Sequence, residues 1–169
     1  MKERLEIVLA GVGGQGLVTI AGILGEAAVR EGRNACMSSS YGTEARGTFT
    51  KSDVILSDGD IDFIEATDPD AVLCLAQVAY DRYAPLLGEK ALLIYDSETV
   101  TPSADCRARQ RGCPIASHGG NLAALGVLVA LARPVAKETV VSLIEERVAA
   151  RSLRPGSREA FEKGYSTAE

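Results

Sequence analysis

The chain contains few aromatic residues, a single histidine and no C-x-x-C pair of cysteines. It has no tryptophan, three phenylalanines and five tyrosines among 169 residues, so aliphatic and alanine side chains must build the core. Its single histidine, His118, cannot form a histidine-based metal cluster. The four cysteines, Cys36, Cys74, Cys106 and Cys113, lack the C-x-x-C spacing of zinc or iron–sulfur ligation. We therefore expect no metal or cluster on this chain.

Charge and hydrophobicity argue against two further classes of partner. The net charge is −5 and the basic residues are scattered, which predicts no binding to nucleic acid. No apolar run reaches the roughly 20 residues needed to span a bilayer, which predicts no membrane association. The charged N-terminus, with no apolar signal-peptide core after it, predicts a cytoplasmic protein with reduced thiols. The length predicts one domain over residues 1–169.

A glycine-rich turn is the most informative motif. The segment Gly11–Gly16 follows an apolar run and precedes an amphipathic stretch, so it joins a predicted strand to a predicted helix. The glycines match G-x-G-x-x-G, which lets a backbone approach a phosphate at the positive end of a helix dipole. The alternative is a tight turn that only needs small residues. The predicted ligand-binding residues here are Gly11, Gly13, Gly14, Gln15 and Gly16.

A dinucleotide site would need a further residue that this chain lacks. Such sites place an Asp or Glu roughly 20 residues after the glycine turn, where it binds the ribose hydroxyls. Here the second predicted strand runs into Ser38–Tyr41, and no acidic residue stands at its end. The sequence therefore disfavours NAD as the ligand.

Strand and helix patterns alternate along the chain, which predicts a Rossmann-like layered α/β sheet domain with C-terminal helices. The apolar helix 121–132 contains Gly126, which suggests that another backbone packs closely there. It either lies in the core of this domain or is buried against a second subunit. The predicted strands are 6–10, 34–38, 48–57, 71–76, 91–95 and 114–117, and the predicted helices are 15–31, 77–87, 121–132, 137–150 and 157–163, the last ended by Gly164.

A second polar loop follows the second strand and contains Tyr41, Glu44 and Arg46 between glycines. Ligands of open α/β sheets bind at the carboxyl ends of strands, so this loop and the glycine turn should share one crevice. Arg46 could bind a phosphate or carboxylate with its planar guanidinium, and Glu44 could orient it. The alternative is a surface ion pair of little consequence. Gln77 and Asp96, also at strand ends, are weaker candidates for the same crevice.

These two segments together resemble the gamma subunits of 2-oxoacid:ferredoxin oxidoreductases. The segments are Gly11–Gly16 and Ser40–Gly47, and the resemblance extends over nearly the whole chain. One departure is Thr48, where the family often has a second glycine after Arg46-Gly47. Supporting matches are Ile55–Asp58 with Ile61, Pro69–Asp70, Gln77–Tyr80, Asn121 and Leu125–Gly126.

The resemblance implies a subunit of a complex that decarboxylates a 2-oxo acid oxidatively, forms an acyl-coenzyme A and passes electrons to ferredoxin. It implies alpha, beta and in some complexes delta subunits as partners, with thiamine diphosphate and iron–sulfur clusters on those subunits. Coenzyme A would be shared with this chain, and the isolated chain would be inactive. The implied substrate is 2-oxoglutarate, with branched-chain oxo acids or indolepyruvate as alternatives.

Two other classes stay open at this stage. The chain could be a free-standing α/β module that binds a nucleotide without redox chemistry. A self-contained enzyme is disfavoured because the sequence offers few catalytic side chains. If expressed alone, the chain is expected to form a homodimer through the apolar helix 122–132.

Overall fold

The computed structural model describes residues 3–41 and 48–168. Glu44 and Arg46 lie outside the described residues. The strands are β1 (Arg4–Val12), β2 (Asn34–Tyr41), β3 (Phe49–Ser57), β4 (Ala71–Cys74), β5 (Leu92–Asp96) and β6 (Arg109–Cys113). The helices are α1 (Leu17–Arg30), α2 (Gln77–Tyr83), α3 (Asn121–Ala132), α4 (Lys137–Ala149) and α5 (Ser157–Ala168).

The six strands form one mixed sheet in the order β2-β3-β1-β4-β5-β6. The strands β1, β4, β5 and β6 are parallel, whereas β3 runs antiparallel to both β1 and β2. Because β3 lies between β1 and β2 and runs antiparallel to both, β1 and β2 point in the same direction and end at the same edge of the sheet. Gly11 and Tyr41 both pair with Thr50 of β3. The α/β class predicted from the sequence is confirmed.

The last strand differs from its prediction. The sequence predicted a strand at 114–117, but β6 covers Arg109–Cys113 and pairs in parallel with β5. This edge strand is polar and mostly exposed, so it lacks the apolar pattern on which the prediction depended. Pro114 follows it directly and has no backbone N–H to continue the ladder.

Helices cover both faces of the sheet. α1 packs seven buried side chains, Leu17 to Ala28, against one face, which it shares with α3, α4 and α5. α2 covers the other face through Ala79 and Tyr80. None of the described helices combines the length and apolarity needed to cross a bilayer.

The helices α3 and α5 pack at backbone contact. A Cβ atom on Gly126 of α3 would collide with the carbonyl oxygen of Phe161, and one on Gly164 of α5 would collide with that of Ala123. This confirms the close backbone approach predicted at Gly126. The prediction that Gly164 ends the last helix is wrong, because α5 continues through it to Ala168 and uses the missing side chain for packing.

The apolar surface expected on α3 is also absent. Residues Leu122 to Ala130 are all buried within this chain. α3 is therefore a core helix of this fold, and the prediction that it supplies a dimer surface is wrong.

The α3–α5 contact makes a prediction about stability. Gly126→Ala should lower the free energy of unfolding by about 1–3 kcal/mol, because the added methyl meets backbone that cannot turn aside. The matched control is Gly22→Ala in α1, where a Cβ meets nothing within 4 Å. The control should raise stability by about 0.4–1 kcal/mol. Urea denaturation of both variants measures the difference, and equal midpoints would contradict the packing described.

Ion pairs join α1 to α4. Arg30 donates from both terminal nitrogens to the two carboxylate oxygens of Glu146, each at 2.7 Å, and contacts Glu26 at 2.9 Å. Arg147 contacts the other oxygen of Glu26 at 2.7 Å. The hydrogen bond from Arg30 lowers the pKa of Glu146 from 4.5 to about 2.

The Arg30–Glu146 ion pair should contribute to the loss of folding stability at acidic pH. A depressed folded-state pKa stabilises the fold above the unfolded value of 4.5, and that contribution is lost as the pH falls towards 2. Glu146→Gln should therefore flatten the loss of stability over this window, by a small amount because the pair is exposed. The control is Glu89→Gln in the exposed loop before β5. Thermal unfolding at several pH values tests this, and an unchanged slope for Glu146→Gln would argue against it.

Candidate functional site

The glycine turn lies between β1 and α1 at the edge where β1 and β2 end. The backbone N–H of Gly13 donates to Thr48 at 3.2 Å, and that of Gln15 donates to Val12 at 3.3 Å. Gly16 has a left-handed conformation, with φ 73°, and immediately precedes α1. Glycine adopts this conformation without the strain that a Cβ atom would bring. Gly16 therefore suits the step from the turn into α1.

Gln15 ties the turn to the neighbouring strand. Its Oε1 accepts the backbone N–H of Val12 at 2.8 Å, and its Nε2 donates to the carbonyl of Leu75 at 2.9 Å. Leu75 follows β4, which is parallel to β1. A Cβ on Gly11 would occupy the position of the Gln15 oxygen. Gln15 was predicted to bind a ligand; its amide is engaged within the turn, and contact with a ligand stays a prediction.

The four glycines of the motif have two different environments. Gly11 and Gly16 are packed: a Cβ on Gly16 would collide with the side-chain nitrogen of Asn121, which donates to the Gly16 carbonyl at 3.4 Å. Gly13 and Gly14 are exposed, and a Cβ on either would meet nothing within 4 Å. Backbone approach by a ligand is therefore open at Gly13 and Gly14 only.

A large cavity of about 730 Å³ lies on one side of the turn. This volume falls within the range of about 300–1,000 Å³ that small-molecule sites occupy. α1, α3 and α5 all begin at its wall, and the N-terminal ends of helices favour negative charge. The principal lining residues are Gly14, Gln15, Thr19, Leu75, Asp96, Ile115, Gly119, Gly120, Asn121, Arg154, Gly156 and Ser157.

The carboxylate of Asp96 lines the floor of the cavity, and that of Glu98 helps to hold the loop that leads into α3. Asp96 is buried and accepts the backbone N–H groups of Glu98 and Ile115 at 3.1 Å and of Ala116 at 3.2 Å. Glu98 accepts the N–H of Ser117 at 2.8 Å, and this hydrogen bond lowers the pKa of Glu98. Asp96, a weaker candidate from the sequence, thus lines the cavity but is occupied in fixing the loop that leads into α3.

Gln77 does not contribute to the cavity lining. Its Nε2 donates to Asp81 at 2.7 Å, and its Oε1 accepts the N–H of Thr101 at 2.7 Å. The side chain therefore connects α2 to the loop after β5. This arrangement gives Gln77 a structural role.

A smaller cavity of about 90 Å³ lies on the other side of the turn. Its lining includes Gly13, Gly14, Gly16 and Tyr41 together with Lys51. The structure thus brings Tyr41 and the glycine turn together, as the sequence predicted. Gly14 lines both cavities, so the turn forms the wall between them.

Sequence reasoning missed the far wall of the large cavity. This wall consists of residues 152–157, between α4 and α5, and it meets the floor at the start of α3, Asn121. The Gly119-Gly120 pair before a helix and the Arg154-Pro155-Gly156 turn were available as signals. They lie more than 100 residues after the glycine turn, so nothing in their spacing showed that they meet it.

Within residues 3–41 and 48–168, no three His, Cys, Asp or Glu side chains are grouped as a metal site requires. The sulfur atoms of Cys74 and Cys113 are buried, and burial raises the pKa of both thiols. These two cysteines are therefore unreactive core residues.

Residues 6–167 match the model of the pyruvate ferredoxin/flavodoxin oxidoreductase family. The chain belongs to this family. The 2-oxoglutarate synthase subunit KorC of Methanocaldococcus jannaschii is 34% identical to it over 188 aligned positions, which cover 100% of this chain and 96% of the relative. The family predicted from the two motifs is confirmed.

Solved structures agree with this assignment. The gamma subunit of a keto/oxoacid ferredoxin oxidoreductase from Geobacter sulfurreducens superposes with a TM-score of 0.81 at 36% identity, over 97% of this chain and 98% of that one. The 2-oxoglutarate:ferredoxin oxidoreductase of Magnetococcus marinus, solved with 2-oxoglutarate, coenzyme A and succinyl-CoA, gives a TM-score of 0.88 at 19% identity. It covers 99% of this chain and 31% of the larger one, and shows likeness of fold alone.

The two hydrogen bonds of the Gln15 amide can be tested with a side chain that has the same shape but titrates. In Gln15→Glu the introduced carboxylate can still accept from Val12 but cannot donate to the Leu75 carbonyl, so stability at pH 7 should fall by about 1–3 kcal/mol. Protonation restores a donor, so this deficit should shrink as the pH falls towards the ordinary glutamate pKa of about 4.3. Gln15→Ala is the control, with a deficit that does not vary with pH. Chemical denaturation at several pH values distinguishes the two.

Proposed function

We propose that the chain is the gamma subunit of a 2-oxoglutarate:ferredoxin oxidoreductase and that its glycine turn and large cavity hold part of coenzyme A. The similarity to KorC over the full length of this chain carries the first half of the proposal. The exposed backbone of Gly14 at the large cavity, with the exposed Gly13 next to it on the side of the smaller cavity, carries the second.

The residues of the site fit the chemistry of coenzyme A. Its phosphates need backbone N–H groups or guanidinium groups, and its long pantetheine arm needs an extended cavity. Three helix starts and the exposed Arg154 meet the first need, and the large cavity meets the second. In the whole complex, coenzyme A supplies the thiol that accepts the acyl group. Tyr41, Glu44 and Arg46 are proposed to face the same ligand or the neighbouring subunit.

The redox and thiamine chemistry is assigned to partner subunits. The proposed partners are the alpha and beta subunits, with a delta subunit where the complex has one, and ferredoxin as the electron acceptor of the complex. This chain would bind and orient coenzyme A and contribute to assembly. A cytoplasmic location is part of the same proposal.

Co-expression with alpha and beta subunits tests this function. The chain should co-elute with them, and the complex should reduce ferredoxin only when both a 2-oxo acid and coenzyme A are present. Turnover with 2-oxoglutarate should exceed that with pyruvate, branched-chain oxo acids and indolepyruvate. A higher turnover with one of the other oxo acids would make that oxo acid the proposed substrate. A chain that never co-elutes but binds a nucleotide alone would be a free-standing module.

Gly13→Ala tests the contact with coenzyme A. A Cβ at Gly13 meets no atom within 4 Å and needs no left-handed conformation, so the fold should tolerate it. The same methyl would obstruct a phosphate against this backbone, and the KM for coenzyme A should rise roughly tenfold or more. The control is Gly88→Ala, which is equally open but distant from the turn. An unchanged KM for Gly13→Ala would place the ligand elsewhere.

A further inference from the structure

The two edges of the sheet differ in how they are protected against pairing. β6 has five residues, two of which are exposed arginines, Arg109 and Arg111. β2, at the opposite edge, has eight residues, Asn34–Tyr41, with neither charge nor proline. Charged residues, proline and short length are the usual means of preventing edge-to-edge association. β2 has none of them, and none of the described strands pairs with its outer edge.

The exposed apolar residues are concentrated around this edge. Eight large hydrophobic side chains are exposed in the described chain, and six of them lie on β2, on α1 beside it or in the segment after β3. α1 runs along β2, since Val18 and Tyr41 line one cavity and Gly25 faces Ala35. On the opposite face, the hydroxyl of Ser38 donates to the carbonyl of Ile64 at 3.0 Å. The six are Val18, Val29, Met37, Tyr41, Phe63 and Ile64.

We propose that two copies of this chain pair through β2 and form one continuous antiparallel sheet across a two-fold axis. The β2 surface is defined as the outer edge of β2 together with these six side chains. A two-fold axis perpendicular to the sheet relates two β2 strands as an antiparallel pair, which is also how β2 pairs with β3. The backbone groups of the outer edge then gain the partners that the sheet pattern requires.

Charge and symmetry favour a second copy as the occupant. The absence of charge along β2 lets identical strands meet without repulsion. The same axis places both α1 helices on one face of the joined sheet, where the exposed Val18 and Val29 flank the junction. On α1, the charged side chains of Glu26 and Arg30 are already paired within the chain. On the opposite face, the exposed acidic residues Asp62 and Glu65 flank Phe63 and Ile64 and stay solvated at the rim. The pairing of the two β2 strands therefore buries backbone and uncharged side chains of β2 without burying a charge.

The symmetry also fixes which residues meet. Opposite residues of an antiparallel pair share a face, so the two central registers place Met37 against Met37 or Ser38 against Ser38 of the second copy. In the first register Cys36 lies opposite residue 38 of the second copy. Ser38→Cys therefore brings two cysteines together in either register, within the Cα separation of about 4.4–6.8 Å that a disulfide spans.

Sedimentation and cross-linking of the full chain test the proposal. The wild-type chain should show a concentration-dependent dimer, and Met37→Lys should weaken it roughly tenfold or more by placing like charges at the axis. Leu86→Lys, at an exposed apolar residue after α2, should leave the dimer unchanged. Under mild oxidation Ser38→Cys should form covalent dimers, whereas Ser166→Cys on the exposed face of α5 should not.

Several outcomes would overturn the dimer. A wild-type chain that stays monomeric at every concentration would do so, as would Met37→Lys dimerising as well as wild type. If the isolated chain were monomeric and Met37→Lys instead prevented co-elution with alpha or beta subunits, the occupant would be a partner subunit. The sedimentation and cross-linking readouts use neither coenzyme A, activity nor a partner subunit, so they are independent of the proposed function.

Discussion

The backbone contact between α3 and α5 determines the geometry of the candidate site. Gly126 and Gly164 remove the side chains that would separate the two helices. α3 begins at the floor of the large cavity, at Asn121, and α5 begins at its far wall, at Ser157. Because the helices cannot move apart or slide without losing this contact, the distance between floor and wall is fixed by packing in the core. A ligand would meet a preformed space.

The glycine motif combines two functions that a sequence pattern cannot separate. Gly11 leaves space for the Gln15 amide, and Gly16 leaves space for Asn121. Gly13 and Gly14 leave space that no atom of the described chain fills. The first pair builds the turn, and the second keeps its surface open. A motif match therefore indicates the turn geometry, while the ligand depends on what the rest of the fold places beside it.

Sequence patterns were sufficient where the local signal was strong. α1 and α3 were predicted closely because their helical spacing and flanking glycines are clear, and the shared edge of Gly11 and Tyr41 followed from strand order along the chain. β6 was missed because an exposed edge strand has no apolar alternation, and Gly164 was misread because its effect is tertiary. The antiparallel direction of β3 and the wall at 152–157 arise from long-range packing. The roles of Glu44 and Arg46 stay predictions.

The large cavity joins residues from opposite ends of the chain. Gly14 and Gln15 lie on one side and Gly156 and Ser157 on the other. During synthesis β1 and α1 emerge early, but their turn has no opposing wall until α5 has left the ribosome and docked on α3. Contacts of such long sequence separation form late because loop closure must precede them. A nascent or truncated chain can thus contain an intact glycine turn and still lack the binding cavity.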